Sequence, residues 1–269
     1  MRDTLHAYYD AATAVLAAGP DSRVFMDHTT ECLKKTYIMM QSALGTEASL
    51  EIGARGAEYS LTMANTYGRA ISICALEASP RTHAYFSKEV NYKNFGVSYI
   101  HALVSDREED TVFYEYIYDG MEAAAGMSSL LVRDIKGRGA VRRSRSTIRS
   151  IRGDTFIELK FKNKKNVALW IDVEGAQSEI LHSLSRSFAQ GIINSIYIEV
   201  EKTALWREQK MLDADVIAFM NTHNFSPFLR DNEDYTQYNI IFVNNDMTAC
   251  DFAFFSEHYH GLLRPFLPA

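Results

Sequence analysis

A chain of 269 residues, 47% hydrophobic and 23% charged, is ordinary for one globular domain with a sizeable core, and a formal charge of −6 argues against a general nucleic-acid binder. Three cysteines, Cys32, Cys74 and Cys250, are an odd number without paired spacing. They read as buried thiols in a reducing, cytoplasmic setting and speak against a disulfide framework or a zinc site.

The small apolar run at 11–19, AATAVLAAG, imitates a signal peptide, but Asp3 and Asp10 precede it and a positively charged start is missing, so it reads as helix. No apolar segment approaches the ~20 residues needed to cross a bilayer, and no membrane partner is expected. The sequon at Asn224 to Ser226 reads as a chance match. Helices are predicted over 3–18 and 26–43, broken at Pro20 and Asp21, with Met26, Leu33, Tyr37, Met40 and Leu44 forming an apolar stripe in the second. This pair is expected to form a cap over residues 1–45 that covers either a ligand or the edge of a sheet.

Residues 48–60, ASLEIGARGAEYS, are the stretch on which the rest turns. A short apolar strand ends at an acid, Glu51, and passes through Gly53 and Gly56 into a helix. That unit lets a ligand approach backbone N–H groups at a helix start. A pyrophosphate would meet an unwelcome negative charge at Glu51, whereas S-adenosyl-L-methionine (SAM) carries an ammonium and a sulfonium that an acid suits. A nicotinamide-dependent dehydrogenase remains a rival, although G-A-R-G-A-E at 53–58 lacks its G-x-G-x-x-G fingerprint.

The second strand, 71–77, ends at Glu77, 24 residues on from Gly53, where a carboxylate can accept both hydroxyls of a ribose. Ser79 and Pro80 then open a helix expected to reach Asn94. Strands follow around 97–102 and at 111–118, with LVSD at 103–106 between them.

Residues 126–154 carry Arg133, Lys136, Arg138, Arg142, Arg143, Arg145, Arg149 and Arg152, with Gly137 and Gly139 in the middle. The segment reads as a mobile loop followed by a strand. It either holds an anionic substrate or is solvated surface. Val167 to Val173 is the most apolar strand, interrupted by Asp172 near its carboxyl end, with Glu174 beyond it; a helix follows Gly175. The strand 193–200 ends at Glu199, and a helix is expected at 206–222. Strands at 225–231 and 236–243 form a closing hairpin, after which the aromatic tail 246–269 docks on the body. In such sheets ligands lie outside the carboxyl ends of the strands, so Glu51, Glu77, Asp172, Glu174 and Glu199 face one crevice.

EIGARGAEYS at 51–60, LEASP at 76–80 with Asn91 and Asn94, and WIDVEGAQ at 170–177 together resemble the FkbM family of SAM-dependent methyltransferases over roughly residues 48–243. The resemblance implies a Rossmann-like class I methyltransferase fold: an α/β domain at 46–245 with a mostly parallel seven-stranded sheet ending in an antiparallel hairpin, and helices on both faces. It implies methylation of a hydroxyl on a sugar or natural-product-like small molecule. By it, Glu51, Gly53 and Ala54 line the methionine part of SAM, Glu77 its ribose, and Ser105 and Asp106 the adenine edge, with Gly56 and Ala78 also counted as cofactor-binding. Arg55, Ala57 and Ala78 depart from the family's asparagine, glycine and proline. A non-catalytic member presenting its basic loop to an anionic partner is the alternative. Asp172, Glu174 and Glu199 are the expected base or acceptor-positioning groups. No histidine spacing accompanies them, so a metal is the lesser reading.

Overall fold

A computed structural model of the chain describes residues 1–118, 120, 126–133 and 141–267. Among these residues the strands are, in chain order, β1 (Ala48–Ile52), β2 (Ser72–Glu77), β3 (Val97–His101), β4 (Leu103–Val104), β5 (Asp110–Tyr118), β6 (Val141–Ile151), β7 (Val167–Ile171), β8 (Ile193–Glu201), β9 (Phe225–Arg230) and β10 (Gln237–Asn244). The helices are α1 (Arg2–Ala18), α2 (Arg23–Ala43), α3 (Glu58–Tyr67), α4 (Pro80–Glu89), α5 (Tyr92–Phe95), α6 (Gly153–Lys160), α7 (Gln177–Ser183), α8 (Ser185–Ala189), α9 (Asp213–Thr222) and α10 (Phe252–Leu263).

The main sheet has seven strands in the order β3-β2-β1-β7-β8-β10-β9. Its first five strands pair in parallel, and β10 runs antiparallel to both β8 and β9. This is the expected class I methyltransferase α/β sheet. Every residue of β1, β7 and β8 is buried, which explains why these strands read as apolar runs without alternation. One face meets α1, α2, α3 and α10 through Leu33, Tyr37, Tyr59, Trp170, Tyr197 and Tyr259. The other meets α6 to α9 through Phe156, Leu169, Leu181, Ile196 and Val216.

Strand order reverses between β1 and β7, and their carboxyl ends open the crevice there. Tyr37 ties α2 to that reversal, its hydroxyl donating to the Leu169 carbonyl at 2.8 Å. Ser22 caps α2 by accepting from the Phe25 N–H, just past the expected break. The tail docks on α2 through α10, with His28 Nε2 2.9 Å from the Leu262 carbonyl oxygen. None of the helices formed by described residues is long and apolar enough to cross a membrane.

Three expected boundaries shift. The helix expected to reach Asn94 stops at Glu89, because Val90 is extended, and a short α5 follows. The strand expected over 167–173 ends at Ile171, although the Asp172 N–H still donates to the Ile52 carbonyl at 3.0 Å. The helix expected from 206 begins only at Asp213: the Leu205 and Trp206 N–H groups go to Gln209 Oε1 instead of to helical carbonyls.

The basic segment resolves into a second sheet. β6 pairs antiparallel with β5 from Val141 to Arg149 and in parallel with β4 at Ser150 and Ile151. Arg142, Arg143, Arg145 and Arg149 lie on that strand, the one expected for the later part of the segment. Lys136, Gly137, Arg138 and Gly139 fall outside the described residues.

Candidate active site

At the end of β1 the chain turns through Gly53, with φ +84. A Cβ there would lie 1.7 Å from the Asp172 carbonyl oxygen, so only glycine allows the ends of β1 and β7 to come this close. Arg55 (φ 45) and Ala57 (φ 58) are also left-handed. These are the positions where the resembled family has asparagine and glycine, the residues that tolerate this conformation best.

The acids of β1 and β2 hold this turn. Glu51 is buried and one of its oxygens accepts from the Ser60 N–H at 3.0 Å, near the start of α3. Burial, together with Asp172 and Glu58 nearby, pushes its carboxyl up to about 8 despite that bond. Glu77 accepts from the Arg55 N–H at 2.8 Å and from the Ser79 N–H at 2.6 Å. Burial raises Glu77 to about 7, opposed by those two donors. Ser79 also caps α4 and donates its hydroxyl to Glu115, a partner no motif announced.

The acids of β7 and β8 converge on one another. One carboxylate oxygen from each of Asp172, Glu174 and Glu199 lies within 4.8 Å of the others. Crowded surroundings and Glu233 raise Asp172 to about 7, with Lys34 and Arg55 pulling the other way. Asp172 itself reaches the open mouth of the crevice, where solvent tempers that displacement. Glu174 and Glu199 are held well above the usual carboxylate range, first by burial and then by the neighbouring acids.

Two crevices meet here. The first, about 700 Å³ with its open mouth counted, is lined by Gly53, Arg55, Glu77, Ala78, Asp172 and Glu174, and has apolar walls at Leu103, Val104 and Ile180. The second, about 1060 Å³ on the same basis, lies between α2 and the glycine turn. Lys34, Ile38, Glu51, Ala54, Gly56, Tyr59 and Trp170 line it, and it shares Gly53, Arg55 and Asp172 with the first. The helical cap thus both buries a sheet face and walls a crevice.

Ser105 and Asp106 are not on either wall. The Ser105 N–H donates to the Ile151 carbonyl and its hydroxyl to Asp106, while Arg152 donates to the Asp106 carbonyl. The pair anchors β4 to β6, and Leu103 and Val104 take the wall position expected of them. None of the arginines described on β6 lines either crevice.

Sequence reasoning singled out neither Arg133 nor Trp206 for the site. The Arg133 guanidinium lies 4.6 Å from the centre of the Trp206 ring and 3.7 Å from Glu174 Oε2. The segments carrying them pair across the mouth, the Arg207 N–H donating to the Val132 carbonyl at 2.7 Å. Trp206 also fills the space where a Cβ on Gly175 would stand, 2.7 Å from its ring. Gly175, visible in WIDVEGAQ, was the one available signal that something bulky packs there.

The first crevice fits SAM. Its carboxylate, Glu77, keeps lone pairs free beyond the two it gives to backbone N–H groups. Its apolar walls suit a purine, and Glu174 opposes positive charge.

The sequence profile of the family described as the methyltransferase FkbM domain matches residues 51–227. No curated protein matches the chain at a significant level. Among solved structures, a SAM-dependent methyltransferase from Aquifex aeolicus aligns with TM-score 0.41 at 9% identity, over 87% of this chain and 98% of its own. The bifunctional kinase-methyltransferase WbdD aligns with TM-score 0.45 at 9% identity, over 80% of this chain and 38% of its own. Sp1610 of Streptococcus pneumoniae, described as a putative tRNA (m1A22) methyltransferase in complex with SAM, aligns with TM-score 0.39 at 10% identity, over 78% of this chain and 72% of its own. At TM-scores below 0.5 these structures say nothing of what this chain acts on.

Proposed function

The chain belongs to the FkbM methyltransferase domain family and is a SAM-dependent methyltransferase, and we propose that it methylates a hydroxyl oxygen of a small, sugar-like or natural-product-like acceptor. The observation that carries this reading is the position of Asp172 on the wall common to the two crevices. A cofactor in the first crevice and an acceptor in the second meet at that carboxyl.

SAM supplies a methyl group already activated by its sulfonium, so the protein has only to align an acceptor oxygen and receive its proton. Glu77 accepts the ribose hydroxyls, and Leu103, Val104 and Ile180 flank the adenine. Glu174 opposes the positive charge of the methionine part. Asp172 takes the acceptor's proton or holds its hydroxyl in line. Tyr59 and Trp170, stacked with ring centres 4.5 Å apart, form a buried aromatic floor beneath the second crevice. The arginines described on β6 line neither crevice, so they take no part in holding the acceptor in this reading.

Calorimetric titration with SAM and with NADH tests the cofactor, and mass spectrometry of a panel of sugars and phenols incubated with SAM tests the acceptor. The expected result is SAM binding, no NADH binding, and a gain of one methyl group on a hydroxyl. NADH binding without SAM would sink the reading. SAM binding with methylation confined to nitrogen or sulfur would remove the O-methyl assignment, and SAM binding without transfer would favour the non-catalytic module.

A further inference from the structure

We propose that Asp172, Glu174 and Glu199 bind one divalent cation of the oxygen-preferring kind, magnesium, manganese or calcium, at the boundary between the two crevices. The proposal deepens the methyltransferase reading and rests on it for the cation's use in the reaction.

Two neighbouring parallel strands deliver the three acids. β7 pairs with β8 in register from Ala168 opposite Ser195 to Ile171 opposite Ile198, so Asp172 and Glu199 follow the last pair side by side. The 4.8 Å limit on their mutual separations is what one ion can span, since two oxygens on opposite sides of a calcium-sized ion lie about 4.6 to 5.2 Å apart.

Acids that merely crowd together would be satisfied by donors from the fold, and the neighbouring Glu201 is: its two oxygens accept from Gln177 at 3.1 Å and Gln209 at 2.8 Å. Glu199 is not. It is 5% exposed, its Oε1 accepts from Gln237 at 2.6 Å, and its Oε2 has no hydrogen-bond donor. Glu174 Oε2 is likewise closed off and without a donor, with Arg133 at 3.7 Å too far for a hydrogen bond.

A third oxygen outside the acid cluster repeats the pattern. Gln177 is fully buried, its amide nitrogen donates to the Glu199 carbonyl at 3.0 Å, and its Oε1 has no partner. Buried oxygens left without donors are costly unless a ligand completes them. An all-oxygen set of carboxylates with an amide nearby is the chemistry of hard divalent ions. A small dehydrated ion can reach the enclosed Glu199 oxygen, which a bulky acceptor entering past Asp172 cannot. Bound there, the ion would offset the charge of three adjacent carboxylates.

The test uses the full chain after chelator treatment and dialysis. Manganese(II) binding is followed by the electron paramagnetic resonance of the free ion, and magnesium and calcium by calorimetry, with SAM affinity measured separately on the same samples. The expected result is one manganese ion per chain at submillimolar affinity, weakened by at least about tenfold in Glu199→Gln, with SAM affinity within a few-fold of the parent. Glu174→Gln, on a turn at the edge of the site, serves for the ion measurement alone should the buried Glu199 variant fail to fold. No binding of any of the three ions by a chain that still binds SAM overturns the cation and leaves the methyltransferase reading standing. Ion binding undiminished in both variants overturns the site. Failure to bind SAM, whatever the ions do, counts against the methyltransferase reading instead.

Discussion

The two halves of the sheet's carboxyl edge are built on opposite principles. On the β1–β2 side, Glu51 and Glu77 are answered by the backbone: Ser60, Arg55 and Ser79 all turn an N–H toward them. On the β7–β8 side, Glu174 and Glu199 each keep an enclosed oxygen that no donor reaches. One half is finished before any ligand arrives, and its acids double as braces of the glycine turn. The other half keeps two enclosed oxygens without a hydrogen-bond donor, the ones the proposed cation would complete. The contrast teaches that acids at strand ends are not equivalent, and that the unanswered ones mark where the variable partner goes.

The largest break in that comparison is expected from Asp172→Asn, which keeps the shape but removes the proposed proton acceptor. Turnover should fall by about 100-fold or more while SAM affinity stays within a few-fold, read from steady-state rates beside calorimetry. A variant as active as the parent would place the chemistry elsewhere. Glu77→Ala should do the reverse. Loss of hydrogen bonds to a buried carboxylate costs about 1.5 to 3 kcal/mol, so SAM affinity should drop roughly 10- to 150-fold. Unchanged affinity would remove Glu77 from the ribose position.

The finished half also sets a pH dependence. Burial holds Glu51 at about 8 and Glu77 at about 7 in the folded chain, against the ordinary 4.5. Asp231, beneath Glu233 and hydrogen-bonded to Asn239, sits at about 7 against 3.8. From the ordinary values up to these, the native state keeps protons that the unfolded chain has released. Stability is therefore greatest at the acidic end and falls as pH rises toward 8. In the chelated protein the thermal midpoint should decline between pH 5 and pH 8, and Glu51→Gln should make that decline shallower. A midpoint that rises over this range would contradict the assignment. The smallest expected effect is at the turn itself: Ala57→Gly should raise stability by about 1 kcal/mol by relieving the left-handed alanine, measurable in a urea titration. No gain would mean that the conformation is imposed at no cost.

Much of this was legible beforehand because the signals are local. An apolar run ending in an acid and a glycine turn gives β1 and its crevice, and the same pattern recurring at Glu77, Asp172 and Glu199 predicts a shared edge. The departures at Arg55 and Ala57 were visible as letters, but their physical meaning, a positive φ at each, required the backbone. Ser105 and Asp106 lie off the walls of both crevices because β6 arrives alongside and pairs with them, which the motif carries no sign of. Arg133 and Trp206 were missed for a similar reason: they meet across 73 residues of sequence, through a pairing of two irregular segments that no periodicity encodes. The satisfaction of Glu201 beside the isolation of Glu199 depends on which way three glutamines point.

The chain has two tryptophans, and the fold has placed them as two separate lamps. Trp170 is pressed between Tyr59 and Tyr197, its ring 3.7 Å from the latter, below the floor of the second crevice. Trp206 is buried against Gly175 under the Arg133 guanidinium, which in turn leans on Glu174. Any event that draws Arg133 toward or away from Glu174 changes the charge above the second indole and hardly touches the first. Subtracting the emission of Trp206→Phe from that of the parent isolates the mouth, so the protein carries its own unlabelled optical gauge of what enters the acidic half of the edge.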